Sequence, residues 1–110
     1  MATNDTTQAI LFYLNYHGFK AWRTNTVGIY DQKRGVYRKN ASLLKGVPDI
    51  IGFRRSDARF IGVEIKTGRD DLSGHQGAFL DELVQAGGFA LVVGSFDEFA
   101  EKFEVVRHPS

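Results

Sequence analysis

Apolar residues near the start of the chain recur at helical spacing and then give way to a segment without a period. Residues 6–17 carry an apolar stripe that predicts a first helix, which Asn4 or Asp5 can cap and which Gly18 can end. A short strand is predicted over residues 19–22, directly after that glycine. The chain therefore opens with a helix that turns back into a strand.

The middle of the chain predicts a long loop followed by a pair of strands. Residues 25–45 contain Asn, Gly, Lys and Arg with little periodicity, so we interpret them as a basic loop, with a brief hairpin around 29–37 as an option. Two strand-like runs follow at 49–54 and 60–66, joined by the polar turn 55–59. We expect these two strands to form an antiparallel hairpin.

The last third of the chain predicts a helix, a strand and a second helix. The first helix covers about residues 73–86 and ends at Gly87-Gly88. Its candidates for burial are Phe79, Leu80, Leu83 and Val84. An unbroken apolar run at 89–93 is typical of a strand buried on both faces, and residues 97–103 predict a short final helix.

The order α-β-β-β-α-β-α predicts an α/β fold in which a mixed central sheet is flanked by helices. Helix 73–86 would be the crossover that brings strand 89–93 parallel to strand 60–66. A length of 110 residues fits one domain over residues 1–110. The chain has no cysteine, which excludes disulfides and thiolate zinc sites and favours the cytoplasm. Neither a signal peptide nor a membrane span is expected from the sequence.

Charge is unevenly distributed along the chain, although the net charge is only +1. Residues 20–59 hold ten Lys and Arg against three Asp, a surplus of seven positive charges. A basic segment of this kind suits contacts with nucleic-acid phosphates, and a solvated basic loop is the alternative interpretation.

Three charged residues converge at one end of the predicted hairpin. If its turn is centred between Ser56 and Asp57, residues whose numbers sum to 113 face one another, which pairs Asp49 with Glu64. Directly opposed side chains lie on one face, roughly 5 Å apart at their β-carbons, and the strand period of two adds Lys66 to that face.

Two opposed carboxylates repel each other unless a cation lies between them. Hard oxygen ligands without His or Cys favour Mg²⁺ or Mn²⁺ over zinc. Lys66 can then hold or polarise an attacking water, or stabilise charge on a phosphate. The alternative is that Asp49 and Lys66 are ordinary strand-end charges and that Glu64 and Lys66 form a surface ion pair of little energetic value.

The motif Pro48-Asp49, a spacer and Glu64-Ile65-Lys66 resembles the signature of the PD-(D/E)XK nucleases. The wider run 45–52 with Gln76 downstream is most similar to the VRR-Nuc branch, which occurs as stand-alone phage and bacterial proteins. The resemblance covers nearly the whole chain and implies a restriction-endonuclease-like fold. It implies that Asp49, Glu64 and the carbonyl of Ile65 bind the metal and that Lys66 assists the water. It also implies a homodimeric DNA endonuclease that resembles Holliday-junction resolvases of repair and recombination.

Gln76 has two interpretations that remain open at this point. Ser73 and Gln76 have the spacing of a capping box, whereas the resemblance directs Gln76 to the metal site or the DNA as a catalytic residue. Gln8 on the first helix is a candidate contributor to the site. Because a glutamine is a poor metal ligand, the number of bound metal ions, one or two, stays open.

Several basic and polar residues are candidates for gripping the DNA backbone. They are Arg23, Asn25, Lys33, Arg34, Arg38, Lys39 and Lys45. Tyr30 and Tyr37 can stack on unpaired bases, or can serve packing or dimer contacts. The sequence thus predicts a Mg²⁺- or Mn²⁺-dependent endonuclease that acts on four-way or other branched DNA. The alternatives are a restriction- or repair-type endonuclease on duplex DNA and a binding module without catalysis.

Overall fold

The computed structural model describes residues 2–24, 29–38, 45–68 and 71–108. Their helices and strands follow the predicted order, and the optional hairpin is present. The elements are α1 (Ala2–Tyr16), β1 (Phe19–Arg23), β2 (Ile29–Asp31), β3 (Val36–Arg38), β4 (Ile50–Arg54), β5 (Phe60–Ile65), α2 (Gly74–Gln85), β6 (Phe89–Val93) and α3 (Phe96–Arg107).

Four strands form a mixed sheet in the order β1-β4-β5-β6, and β2 and β3 form a separate hairpin. Strand β4 is antiparallel to both of its neighbours, β1 and β5, whereas β6 is parallel to β5. Helix α2 is the crossover between the two parallel strands, as predicted. The predicted register is confirmed where Ile51 pairs with Gly62 and Phe53 pairs with Phe60.

The two faces of the sheet carry different helices. Alternate residues of β5, namely Ile61, Val63 and Ile65, belong to the buried core that α1 and α3 complete. The intervening residues Gly62 and Glu64 face α2, because a β-carbon added at Gly62 would lie 3.0 Å from Leu83 of that helix. Helix α2 packs on β5 and β6, so it covers only the β5–β6 half of the sheet face that carries Gly62 and Glu64.

Helix ends and helix burial differ from the predictions at several points. Helix α1 begins at Ala2, so Asn4 and Asp5 lie inside it and the predicted caps are wrong. Val84 is 56% exposed, because the surface of α2 that contacts the sheet is narrower than the apolar surface of the helix. Phe79 and Leu83 are half-buried and Leu80 is buried. The final helix continues to Arg107, which lies 3.4 Å from the Glu104 carboxylate.

Part of the basic segment stabilises the far end of the sheet. Arg54 makes two hydrogen bonds to Asp57, and the Arg59 guanidinium lies 3.8 Å from the centre of the Phe89 ring. Arg55 donates to the carbonyl oxygen of Phe19 at 3.4 Å. These arginines lie around the β4–β5 turn, at the opposite end of the hairpin from Asp49. Their guanidinium groups therefore stabilise that end of the sheet. Among the described helices, none is long and apolar enough to cross a membrane.

Candidate active site

Asp49 lies directly before β4 and is held from both neighbouring strands. Thr24 donates its backbone N–H to the Asp49 carbonyl oxygen at 2.9 Å, and its hydroxyl lies 2.6 Å from the Pro48 carbonyl oxygen. On the other side, the Ile65 N–H donates to Asp49 Oδ2 at 2.8 Å. The backbone and the carboxylate are therefore both fixed. Sequence reasoning missed Thr24, whose contribution depends on which strand lies beside β4.

Glu64 occupies a buried position beside Asp49, with 3% of the residue exposed. Its Oε1 accepts a hydrogen bond from Gln76 Nε2 at 3.0 Å, whereas its Oε2 is buried and has no partner among the described residues. Burial, followed by the charge of Asp49, raises the pKa of the Glu64 carboxyl to about 7. A half-satisfied carboxyl group beside a second carboxylate is costly for the fold alone and suits a bound cation.

Lys66 follows the last residue of β5 and remains tied to the sheet through its N–H, which donates to the Val93 carbonyl oxygen at 2.9 Å. Its ammonium nitrogen lies 4.0 Å from Glu64 Oε1, and 22% of its side chain is exposed. The ammonium group is therefore placed between the buried carboxylate and solvent. From there it can contact a group that approaches from outside.

The capping box predicted for Gln76 is confirmed, and the same side chain also contacts Glu64. Its Oε1 accepts from the Ser73 N–H at 2.9 Å, and Ser73 Oγ accepts from the Gln76 N–H at 3.2 Å, which completes the capping box. The Nε2 end of the same side chain donates to Glu64. The start of α2 is thus joined to the acidic pair through one glutamine, which fixes the orientation of the Glu64 carboxyl group.

Gly46 allows the chain before Asp49 to approach the first turn of α2. Its φ angle is +81°, and a β-carbon at this position would lie 2.3 Å from the carbonyl oxygen of His75. No side chain fits in that space, because the nearest atoms belong to the backbone. Glycine is therefore required where the loop leading to the site crosses the helix that supplies Gln76.

Replacing Gly46 with alanine is expected to destabilise the protein by about 2 kcal/mol, since steric displacement adds to the strain of a positive φ angle. Gly18 provides the matched control, because its φ is +89° and no atom would lie within 4 Å of an added β-carbon. Gly18→Ala should therefore cost only about 1 kcal/mol. Urea unfolding of both variants measures the difference. Equal losses would show that the approach to His75 does not constrain position 46.

The other predicted site residues are placed in different parts of the molecule. Arg23 pairs with the core residue Ile50 and donates to Asn4 of α1, so its side chain lies on the opposite face from Glu64. Gln8 is exposed on α1, and no described hydrogen bond joins it to the acidic pair. Three basic candidates are exposed, two in the turn between β2 and β3 and one just before Gly46; they are Lys33, Arg34 and Lys45.

Some predictions lie outside what the structure describes. Asn25 and Lys39 are outside the described residues, and so are the side chains of Arg38, Tyr30 and Tyr37. Their assignment to DNA contacts, stacking or packing stays a prediction. Within the described ranges, no group of three or more His, Cys, Asp or Glu side chains is placed to hold a metal ion. Among the described residues, the acidic groups gathered at this site are the carboxylates of Asp49 and Glu64.

Comparison with protein families gives a match to the VRR-NUC domain over residues 23–97, from the last residue of β1 to the start of α3. The matched region contains Asp49, Glu64, Lys66 and Gln76. Searches among curated proteins and among solved structures returned no match. The family match covers well over half of the chain, and the four-stranded mixed sheet flanked by helices is consistent with a PD-(D/E)XK-like fold. The chain therefore belongs to the VRR-NUC family, a family of nucleases that act on DNA.

Proposed function

We propose that this protein is a Mg²⁺- or Mn²⁺-dependent endodeoxyribonuclease that hydrolyses phosphodiester bonds in branched DNA, with four-way junctions as the preferred substrate. Asp49, Glu64 and the carbonyl oxygen of Ile65 would hold the cation, and Lys66 would assist the attacking water. Gln76 would orient Glu64 rather than bind the cation itself.

The observation that carries this proposal is the unpartnered Oε2 of Glu64. A buried carboxylate oxygen normally has a hydrogen-bond partner, and the Asp49 carboxylate beside Glu64 opposes its ionisation, which is one reason why the pKa of Glu64 is raised. Two oxygen donors of this type match the ligand preference of Mg²⁺ and Mn²⁺. A cation bound here would supply charge neutralisation and a more acidic bound water.

The protein's own groups have separate tasks in this reaction. The Ile65 N–H holds Asp49 Oδ2, which leaves the other carboxylate oxygen of Asp49 available as a ligand. The Gln76 amide fixes one oxygen of Glu64 and leaves Oε2 available. Lys66, which is partly exposed, approaches the scissile phosphate from the solvent side and stabilises the negative charge that develops as water attacks.

Selectivity for branched DNA and a homodimeric state are the further parts of the proposal. A chain of 110 residues has little surface with which to grip a large junction, and two symmetric cuts use two active sites. Exposed basic residues in the β2–β3 turn and before Gly46 are the candidate phosphate contacts. Light scattering should therefore give the mass of a dimer, and a monomer with and without DNA would contradict this part.

The test of the function is incubation of purified protein with a labelled four-way junction, a flap and a matched linear duplex. Each substrate is tested with Mg²⁺, with Mn²⁺ and with chelator. We expect metal-dependent cleavage with the highest rate on the junction. Efficient cutting of the linear duplex would favour a restriction- or repair-type enzyme. Tight junction binding without cleavage in any metal would favour the non-catalytic binding module.

A further inference from the structure

The indole of Trp22 lies on the same face of the sheet as the acidic pair. Trp22 pairs with Ile51, and the ladder continues towards Asp49, where the Thr24 N–H meets the Asp49 carbonyl oxygen. Paired residues share a face, and so do residues two apart along a strand, such as Ile51 and Asp49. Trp22 and Asp49 are therefore diagonal neighbours on one face. Such neighbours are roughly 7–8 Å apart, a separation of the order of one nucleotide.

Among the described elements, no helix packs over this half of the face. Helix α2 packs on β5 and β6, whereas α1 and α3 pack on the opposite face. Trp22 is 42% exposed, and its described ring contact is an edge-to-face arrangement with Phe53 at 6.5 Å between centroids. Lys20, the next residue of β1 on this face, is also exposed. An aromatic plane and an ammonium group therefore form an open shelf that continues from the acidic pair.

We propose that Trp22 stacks on an unpaired base next to the scissile phosphate and thereby makes the enzyme select DNA with unpaired nucleotides at the cut. This inference rests on the proposed function and adds the recognition element to it. In an intact duplex every base is already stacked and paired, so an indole beside the backbone gains little there. At a junction or flap an unpaired base can turn outwards onto the indole, and Lys20 can contact its phosphate.

The chain contains a single tryptophan, so intrinsic fluorescence reports on Trp22 alone. The test titrates wild-type protein, in chelator, with a duplex that contains one unpaired adenine. The same duplex with an abasic residue at that position is the matched control DNA. We expect quenching by the adenine-containing duplex and little change with the abasic one. Equal signals from the two would overturn the inference.

Affinity measurements with variants complete the test. Trp22→Ala should weaken binding of the adenine-containing duplex about 5- to 100-fold and bring it near the affinity of the abasic duplex. Trp22→Phe should retain part of the difference, because a smaller ring still stacks. Phe12→Ala removes an aromatic residue that is 75% exposed on α1, across the sheet, and should leave the difference unchanged.

Failure of the inference can be told apart from failure of the proposed function. If wild-type protein cuts junctions but Trp22→Ala weakens both duplexes equally, the nuclease stands and the stacking is wrong. If no substrate is cut while the Trp22-dependent preference for the unpaired adenine persists, the proposed function fails and the stacking stands. Loss of acrylamide quenching of Trp22 as the protein is concentrated without DNA would show that a second copy covers the shelf, and would overturn the inference.

Discussion

Lys66→Ala is expected to reduce cleavage of the preferred substrate at least about 100-fold while leaving the fold intact. In the proposed mechanism the ammonium group acts on charge that develops in the transition state, and loss of one such interaction costs about 10²–10³-fold in rate. The lysine contributes little to stability, because its ammonium nitrogen is 4.0 Å from Glu64 and its side chain is partly exposed. Single-turnover cleavage with saturating metal measures the rate.

Two further variants make this result specific. Lys66→Met keeps the length of the aliphatic stem and removes the charge, so it should be as inactive as Lys66→Ala. Lys102→Ala removes a lysine from α3 that pairs with Glu98 at 2.8 Å, on an element packed against the opposite face. That control should cleave like the wild type. Wild-type rates in both Lys66 variants would remove Lys66 from the mechanism.

The sequence was most informative where local pattern alone determines structure. The position of a polar turn and a strand period of two predict the hairpin register and, with it, Asp49 opposite Glu64. The capping box at the start of α2 and the end of this helix before Gly87 are likewise predicted by the sequence, because both depend on neighbouring residues. The acidic pair could therefore be predicted from sequence spacing.

Contacts between elements that lie far apart in the sequence could not be predicted from local pattern. Thr24 holds Asp49 because β1 lies at the edge beside β4, a pairing that no sequence period specifies. Arg23, one residue earlier, was expected near the site and instead contacts α1, because a single step along a strand reverses the face. Arg54 and Arg59 belong to the basic segment that suits DNA contacts, yet they pack at the other end of the sheet on Asp57 and Phe89.

The second large effect concerns the pH dependence of stability. The folded protein holds the Glu64 proton more tightly than the unfolded chain, since the pKa rises from 4.5 to about 7. Below pH about 4.5 the carboxyl is protonated in both states. Between that pH and about 7, unfolding releases a proton, so the stability contributed by this group falls as the pH rises and is lowest above 7.

Glu64→Gln should therefore stabilise the metal-free protein at pH 8 by up to about 3 kcal/mol and have little effect near pH 4. The introduced amide carries no charge to repel Asp49 and can still accept from Gln76. Urea unfolding in chelator across this range measures the difference. Glu98→Gln is a control of opposite sign, because Lys102 and the Gly94 N–H lower the pKa of Glu98. Its replacement should slightly destabilise the protein at pH 8.

Adding Mn²⁺ is expected to cancel or reverse the advantage of Glu64→Gln at pH 8. A cation at about 100 times its dissociation constant stabilises the folded state by about 3 kcal/mol, and only the wild-type site has both carboxylates to bind it. The wild-type unfolding midpoint should thus rise with Mn²⁺ while that of the variant stays almost unchanged. The same repulsion that weakens the empty site would then be the source of its metal affinity. If Mn²⁺ shifted both proteins equally, the cation would bind elsewhere and Glu64 would not be its ligand.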